Sequence, residues 1–173
     1  MGGTYKQKIT RQNPALFVFL LDQSFSMIEP LGNSDKQKQE QLATAINSLL
    51  QSMVISATKD EGVRHYMDVA VIGYHTDDTA VPIIESPLAA ALKDRDTVSI
   101  IEISENMEVE TRMQEYFDDE VGEMQEAPVE FPVWIKPKAA GGTPMCTALH
   151  KVYQVVEDWI AGHQDSFPPI VIH

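Results

Sequence analysis

Oxygen-bearing side chains occupy alternate positions in the segment Asp22-Gln23-Ser24-Phe25-Ser26. A turn that places the Asp22 carboxylate and the Ser24 and Ser26 hydroxyls on one side offers a set of oxygen ligands. Mg²⁺ prefers such ligands, in near-octahedral geometry at about 2.1 Å. Because hydroxyls are neutral ligands, a metal that they hold keeps positive charge and can accept a carboxylate from outside. The segment therefore indicates a divalent-cation site.

A second loop carries another hydroxyl. Residues 141–144, Gly-Gly-Thr-Pro, stand between an apolar segment and a predicted helix. Thr143 supplies the hydroxyl, and the glycines permit the close approach of another backbone. Each loop also has a simpler interpretation, since Asp22 can serve as a turn cap and Thr143 as a helix N-cap. Either capping role is compatible with metal binding.

The segments around these loops predict a buried sheet. Residues 15–21 are continuously apolar, which is typical of a central parallel strand buried on both faces. This strand ends at Asp22, and open α/β sheets bind their ligands at the carboxyl ends of such strands. Further strands are predicted at 67–74, at 170–172 and at 79–85, where the internal Pro82 indicates a sheet edge.

Two helices are predicted to cover this sheet, which makes the fold α/β. The first begins at Ser34, because Ser34 and Gln37 match a capping box. Its predicted buried face consists of Leu42, Ile46, Leu49, Leu50, Met53 and Ala57. The second spans residues 145–161, with Gly162 as its stop signal. Its predicted buried stripe consists of Leu149, Val152, Tyr153, Val156 and Ile160.

Most of the negative charge of the chain lies in one segment. Residues 94–130 contain 13 acidic and two basic residues, and only a helical turn at 89–92 and a strand at 98–103 are predicted nearby. Like-charge runs usually face water, so residues 87–130 are predicted to be a solvated acidic insertion. The alternative is a partner-binding surface, for which Met107, Met113 and Met124 offer adaptable apolar contacts.

Composition excludes several classes of partner. The chain has 173 residues with 13 basic and 26 acidic side chains, a net charge of −13, which argues against nucleic acid and anionic membranes as partners. No apolar run reaches the roughly 18 residues of a membrane span. A single cysteine, Cys146, excludes an internal disulfide, and the polar first ten residues lack a secretion signal, so a cytoplasmic location is expected.

Three segments together resemble the von Willebrand factor A (vWA) domain. Residues 17–27 resemble the first strand and metal loop of that family, residues 141–149 the second metal loop with its helix, and residues 168–173 the next central strand. The resemblance extends over residues 15–173 apart from the acidic insertion at 87–130. It leaves residues 1–14 as an N-terminal segment.

The resemblance implies a three-layer, doubly wound, mostly parallel sheet of the Rossmann-like kind. It also implies a metal-ion-dependent adhesion site in which Asp22, Ser24, Ser26 and Thr143 bind Mg²⁺, or alternatively Mn²⁺ or Ca²⁺. In the family, Ser24 and Ser26 correspond to direct ligands, as usually does Thr143, whereas Asp22 binds directly or through water. A protein partner that offers an Asp or Glu completes the coordination.

One departure from the family pattern concerns the strand at 170–173. The family continues there into a Thr-Asp-Gly loop and further strands and helices, which do not follow in this sequence. The expectation is a domain truncated at its C-terminus, with an unpaired strand edge that a second chain can complete.

The expected function is metal-dependent protein–protein interaction without catalysis. A phosphatase with Asp22 as nucleophile is the enzymatic alternative, but haloacid-dehalogenase-type enzymes need a second Asp where Ser24 stands, and no phosphate-binding glycine loop occurs. A structural domain without a working metal site is the third interpretation. Cys146 is expected to be a small buried residue, although His150, one helical turn on, makes a catalytic pair conceivable.

Overall fold

The computed structural model describes residues 7–32, 34–88, 90–93, 95–119 and 122–173. Within them β-strands alternate with helices, as an α/β fold requires. The strands are β1 (Ala15–Asp22), β2 (Thr58–Lys59), β3 (Gly62–Val63), β4 (Met67–Thr76), β5 (Pro82–Glu85), β6 (Val98–Ser99), β7 (Glu108–Asp118), β8 (Glu123–Val133) and β9 (Ile170–Ile172). The α-helices are α1 (Lys38–Ala57), α2 (Ile100–Glu105) and α3 (Met145–Gly162), and short 3₁₀ helices lie at Phe25–Ile28 and Ala90–Leu92.

β1 lies inside the central sheet and is parallel to both of its neighbours. Its whole length pairs with β4, and Phe17–Phe19 pairs with β9. The strand order is β5-β4-β1-β9, and β5 and β6 both run antiparallel to β4. β5 lies at the edge of the sheet, as Pro82 predicted, since proline lacks the N–H that an inner ladder needs. The strand begins at Pro82, however, and not at residue 79 as predicted. The described sheet is therefore mixed, with a parallel centre and an antiparallel edge.

Alternate residues of β1 point to opposite faces of the sheet and join two apolar clusters. Phe19 and Leu21 pack in a cluster with side chains of α1 and α2. Leu16 and Leu20 pack in the other cluster with side chains of α3. Burying a side chain of this kind contributes about 1.5–3 kcal/mol relative to leaving it exposed. Burial on both faces explains the continuous apolar run at residues 15–21.

The predicted start of α1 was wrong. The helix begins at Lys38 with Gln37 as its N-cap, and the Glu40 carboxylate accepts a hydrogen bond of 2.9 Å from the Gln37 N–H. Ser34 instead accepts from the Lys36 N–H inside a loop that a bridge between Pro30 and Gln37 closes. The buried face was predicted more accurately: Ile46, Leu50, Met53 and Ala57 are buried, whereas Leu49 is exposed and the unpredicted Ala43 and Asn47 are buried.

The buried stripe of α3 was predicted only in part: Val152 is buried and Val156 is partly buried, but the other buried residues lie one position before the predicted ones. The apolar residues of this helix occupy much of its circumference, so two neighbouring stripes both have helical spacing. The sheet buries the stripe that contains Trp159, whose indole N–H donates a 2.9 Å hydrogen bond to the buried carboxylate of Asp68. The buried stripe is Ala148, Val152, Val155 and Trp159, and Leu149, Tyr153 and Ile160 are exposed. The helix includes Gly162 and ends with His163 as its C-cap.

A helix occupies most of the segment 98–103, which was predicted to be a strand. Only Val98–Ser99 forms a strand, and α2 follows directly. Ser99 accepts a hydrogen bond from the Glu102 N–H, and the Glu102 carboxylate accepts one from the Ser99 N–H. This capping box starts the helix despite the β-branched residues that follow it. Of the predicted turn at 89–92, residues 90–92 form a 3₁₀ helix, and residue 89 lies outside the described residues.

The acidic segment contains a long two-stranded ribbon, formed by β7 and β8, that the sequence analysis did not predict. The two strands pair in register from Glu108 with Val133 to Asp118 with Glu123. Most of their side chains are exposed, in agreement with the predicted solvation. In the N-terminal segment, residues 7–14 contain no helix or strand, and residues 1–6 lie outside the described residues. No helix in the described ranges is long and apolar enough to cross a membrane.

Candidate metal site

The first loop turns sharply where β1 ends. The Gln23 N–H still donates to the Tyr74 carbonyl of β4, after which the chain leaves the sheet and enters the 3₁₀ helix. The Ser24 N–H donates a 2.7 Å hydrogen bond to Asp22 Oδ1, and the Ser24 and Ser26 hydroxyl oxygens lie 3.1 Å apart. The predicted residues Asp22, Ser24 and Ser26 are therefore together at the carboxyl end of the central strand.

Backbone hydrogen bonds attach the second loop to the first on both sides of Ser24. The Ala140 N–H donates to the Gln23 carbonyl at 2.8 Å, and the Phe25 N–H donates to the Gly141 carbonyl at 2.9 Å. These bonds join segments that are far apart in sequence. They bring the loop that carries Thr143 to the edge of the sheet where the first loop lies.

Gly141 lies against the end of β4. Its φ is +53°, a left-handed conformation that favours glycine, and a Cβ there would lie 2.0 Å from the Thr76 carbonyl oxygen. The neighbouring Gly142 N–H donates a 2.7 Å hydrogen bond to the Thr76 hydroxyl. The close approach predicted for the glycine pair is therefore needed at Gly141 in particular.

The structure separates the two capping alternatives. Asp22 does cap the turn, because its Oδ1 accepts the Ser24 N–H, and this leaves Oδ2 without a hydrogen bond from the described residues. Thr143 is not the N-cap of α3: Pro144 holds that position, and no side-chain capping bond is present there. The exposed Thr143 hydroxyl is thus not committed to starting the helix.

The candidate donor set has the chemistry that hard cations prefer. It comprises the carboxylate of Asp22 and the hydroxyls of Ser24, Ser26 and Thr143, all oxygen donors, which Mg²⁺ and Ca²⁺ prefer to nitrogen or sulfur. Within the described parts of the chain, no group of three or more His, Cys, Asp or Glu side chains is arranged to hold a metal ion. A cation at these loops would therefore depend on neutral hydroxyls and a single carboxylate.

Tyr74 lies beside Asp22 on the neighbouring strand and contacts His173. The sequence alone did not indicate this contact. Tyr74 pairs with Asp22 across the parallel strands, and its hydroxyl lies 2.8 Å from His173 Nε2. Burial, and then the negative charge of Asp22, raise the pKa of Tyr74 from 10.0 to about 12. Predicting that Tyr74 lies beside Asp22 requires the register of β1 on β4, and a strand pattern alone does not say which residues face each other.

The pH dependence of stability should reflect this buried tyrosine. Because the pKa of Tyr74 is raised on folding, its contribution is complete below pH 10 and is lost as the pH rises towards 12. The difference in tyrosinate absorbance between the native chain and Tyr74→Phe should show a titration midpoint near 12. Asp22→Asn should lower that midpoint, since it removes the charge. A midpoint near 10 in the folded protein would contradict the assignment.

Asp77, at the end of β4, has a structural role, and the predicted pair of Cys146 with His150 forms no contact among the described residues. Asp77 Oδ1 accepts hydrogen bonds from Thr79 and from the Val81 N–H, which lower the pKa of Asp77 and shape the turn between β4 and β5. Cys146 is exposed, so the prediction of a buried residue was wrong. His150 Nε2 lies 3.3 Å from Gln154 Nε2, on the helix surface.

Comparisons of the chain with protein-family models, with curated proteins and with solved structures found no match. The function must therefore be inferred from the two loops and from the sheet that positions them. The features available for that inference are a mixed α/β sheet, a hydroxyl-rich loop at the end of its central strand, and a second loop bonded to the first.

Proposed function

We propose that this chain is a metal-dependent protein-interaction module of the vWA type. In this proposal one Mg²⁺, or Mn²⁺ or Ca²⁺, binds at Asp22, Ser24, Ser26 and Thr143 and recruits an Asp or Glu of a partner protein. The observation that carries the proposal is the 3.1 Å approach of the Ser24 and Ser26 hydroxyls beside the Asp22 carboxylate. Facing hydroxyls and a carboxylate at the end of a buried strand form an oxygen-lined site.

The strand order supports this location. β4 pairs with one side of β1, and β9, which comes much later in the sequence, pairs with the other side. The carboxyl end of β1 is therefore a topological switch point, where α/β sheets open a crevice for ligands. Helices pack on both sheet faces near β1, which is compatible with the three-layer, doubly wound arrangement that we propose for the whole domain.

Each residue of the site has a definable task. The Ser24 N–H fixes the orientation of Asp22 by binding Oδ1, and Oδ2 stays available. The backbone bonds of Gln23 and Phe25 hold the second loop in place, so that Thr143 can contribute its hydroxyl. A bound cation would supply the positive charge that attracts a partner carboxylate. Because three of the four donors are neutral, the chain itself would leave one of the two positive charges of the cation uncompensated.

A metal titration tests this proposal. Mg²⁺ or Mn²⁺ at a hundredfold excess over its Kd should stabilise the native chain by about 2.7 kcal/mol, measured as a rise in melting temperature. Asp22→Asn should abolish the shift, because the amide keeps an acceptor for the Ser24 N–H but loses the charge. Asp78→Asn removes an exposed carboxylate from the neighbouring turn and should leave the shift intact. A Glu-containing peptide should tighten metal binding, and its Gln counterpart should not.

Two results would contradict the proposed metal site, and a third would contradict the recruitment of a carboxylate. An equal shift in the native chain and in Asp22→Asn would assign cation binding to other carboxylates, for instance those of the acidic ribbon. No shift in any variant, with all of them folded by circular dichroism, would show that these loops do not bind a cation. A metal shift without any effect of the Glu peptide would retain the metal site and reject the recruitment of a carboxylate.

A further inference from the structure

The two faces of the ribbon formed by β7 and β8 differ in character. Cross-strand pairing places three apolar pairs on one face: Val109 with Pro132, Met113 with Pro128, and Phe117 with Met124. Val109, Met113, Phe117 and Met124 are each more than half exposed, at 53, 61, 57 and 59%. We call this surface the apolar ribbon face. Exposed apolar side chains grouped in this way mark binding surfaces more often than isolated ones do.

Carboxylates alternate with the apolar pairs on the same face. Thr111 pairs with Glu130, and Glu115 pairs with Glu126, between the three apolar pairs. Along the ribbon, apolar and acidic pairs therefore follow each other at intervals of about 7 Å. The ion pairs of Arg112 with Glu110 and of Lys136 with Glu108 involve residues of the opposite face, so these cations do not neutralise Glu115, Glu126 or Glu130.

The apolar ribbon face continues into a pocket at its base. This pocket, of about 210 Å³, lies between α1 and the ribbon. It is lined by Val109 and Pro132 of this face, by Phe131 of the opposite face, and by Val54, Ile55 and Met107, among others. Ile55 and Met107 are exposed by 64 and 51%. The pocket offers a place for a large apolar side chain at one end of the face.

Charge selects the kind of occupant. Residues 108–133 contain nine acidic residues and one arginine, so a second copy of the same ribbon would be repelled. A partner with Lys or Arg residues would instead be attracted to the carboxylates between the apolar pairs. Addition of a strand along β8 is disfavoured, because Pro128 and Pro132 lack N–H groups. An occupant of the apolar ribbon face is therefore not expected to extend the edge of β8.

We propose that the apolar ribbon face binds a basic amphipathic helix of a partner protein. Two paired strands with their side chains are about as wide as a helix, which measures roughly 10–12 Å across. The eleven-residue strands are about 37 Å long, which matches a helix of roughly 25 residues. Apolar side chains of the helix contact the three apolar pairs and the pocket, and its Lys or Arg residues contact Glu115, Glu126 and Glu130. This surface is separate from the candidate metal site.

The test uses a synthetic helix of Leu and Lys, about 20 residues long, titrated by calorimetry into the full chain without divalent cations. We expect one peptide to bind per chain, with affinity reduced about tenfold or more in Met113→Ser/Phe117→Ser. Tyr116→Ser is the matched control, because Tyr116 is the neighbour of Phe117 on the opposite face and is 44% exposed. It should change the affinity little.

A pair of charge variants guards against misfolding of the serine variant. Glu115→Gln/Glu126→Gln and Glu110→Gln/Glu123→Gln each remove two charges, from the apolar ribbon face and from the opposite face respectively. We expect only the first pair to weaken binding by about tenfold. If both charge variants lost affinity equally, the peptide would be attracted by the overall negative charge and not by this face, which would overturn the proposal. So would a concentration-dependent dimer that Phe117→Ser abolishes, since the occupant would then be a second copy.

Discussion

Asn47→Ala is expected to lower the free energy of unfolding by about 3–5 kcal/mol. The Asn47 side chain is buried in α1 and bonds to the backbone just after the ribbon. Its Oδ1 accepts from the N–H groups of Trp134 and Ile135 at 2.9 and 3.1 Å, and its Nδ2 donates to the Ile135 carbonyl at 2.9 Å. Alanine would leave three buried backbone groups without partners, at about 1–3 kcal/mol each.

Denaturant unfolding would measure this effect, with Ser48→Ala as control. Ser48 is the next residue of the same helix and is exposed, so its replacement should change stability by less than about 0.5 kcal/mol. If Asn47→Ala and Ser48→Ala were equally stable, the segment at Trp134 and Ile135 would have other partners, and the interpretation of Asn47 as its anchor would be wrong.

Gly141→Ala is expected to cost about 2–4 kcal/mol of stability and to weaken binding at the candidate metal site. Two effects add. The left-handed φ of +53° costs an alanine about 1–2 kcal/mol. Its Cβ would also lie 2.0 Å from the Thr76 carbonyl oxygen, so either the loop or β4 must move. Movement of the loop breaks the bonds that hold it to Phe25 and Thr76.

Gly142→Ala provides the matched control for this prediction. A Cβ at Gly142 would have its nearest contact at 3.4 Å, with the Thr76 hydroxyl oxygen, and its φ is not in the left-handed region. Its cost should stay below about 1 kcal/mol. Thermal unfolding of both variants, followed by Mg²⁺ titration, separates the two effects on stability and on binding. Equal behaviour of the two variants would show that the close approach of Gly141 to β4 is not required.

The central strand and the first loop could be predicted from the sequence because their signal is local. A continuous apolar run that ends at an aspartate describes a buried strand and its carboxyl end without further information, and β1 ends at Asp22 as predicted. The approach of Ser24 to Ser26 likewise follows from a tight turn over five residues. Thr143 was placed on the second loop by the glycines before it and the helix after it.

Other features depend on contacts that no local pattern reveals. Asn47 binds backbone groups 87 and 88 residues away, so nothing near it in sequence indicates its role. The ribbon was missed because Thr111 and Glu115 interrupt the apolar residues of one face. Val109, Met113 and Phe117 therefore recur at every fourth position, and the period-two pattern of a strand is absent. The stripe of α3 was misplaced because apolar residues on neighbouring faces are equally periodic. The stripe that is buried packs against β1 and β4, and its Trp159 bonds to Asp68 of β4.

The pairing of β1 with β9 has a consequence for the order in which the protein folds. Phe17–Phe19 pairs with Ile170–Ile172, so roughly 150 residues separate the partners. Contacts between such distant segments form slowly, since a long loop must close before any of its contacts can contribute. During synthesis the ribosome releases β1 and β4 well before β9. Until β9 is released, the side of β1 that pairs with it has no partner strand, and a nascent chain in that state is prone to aggregation.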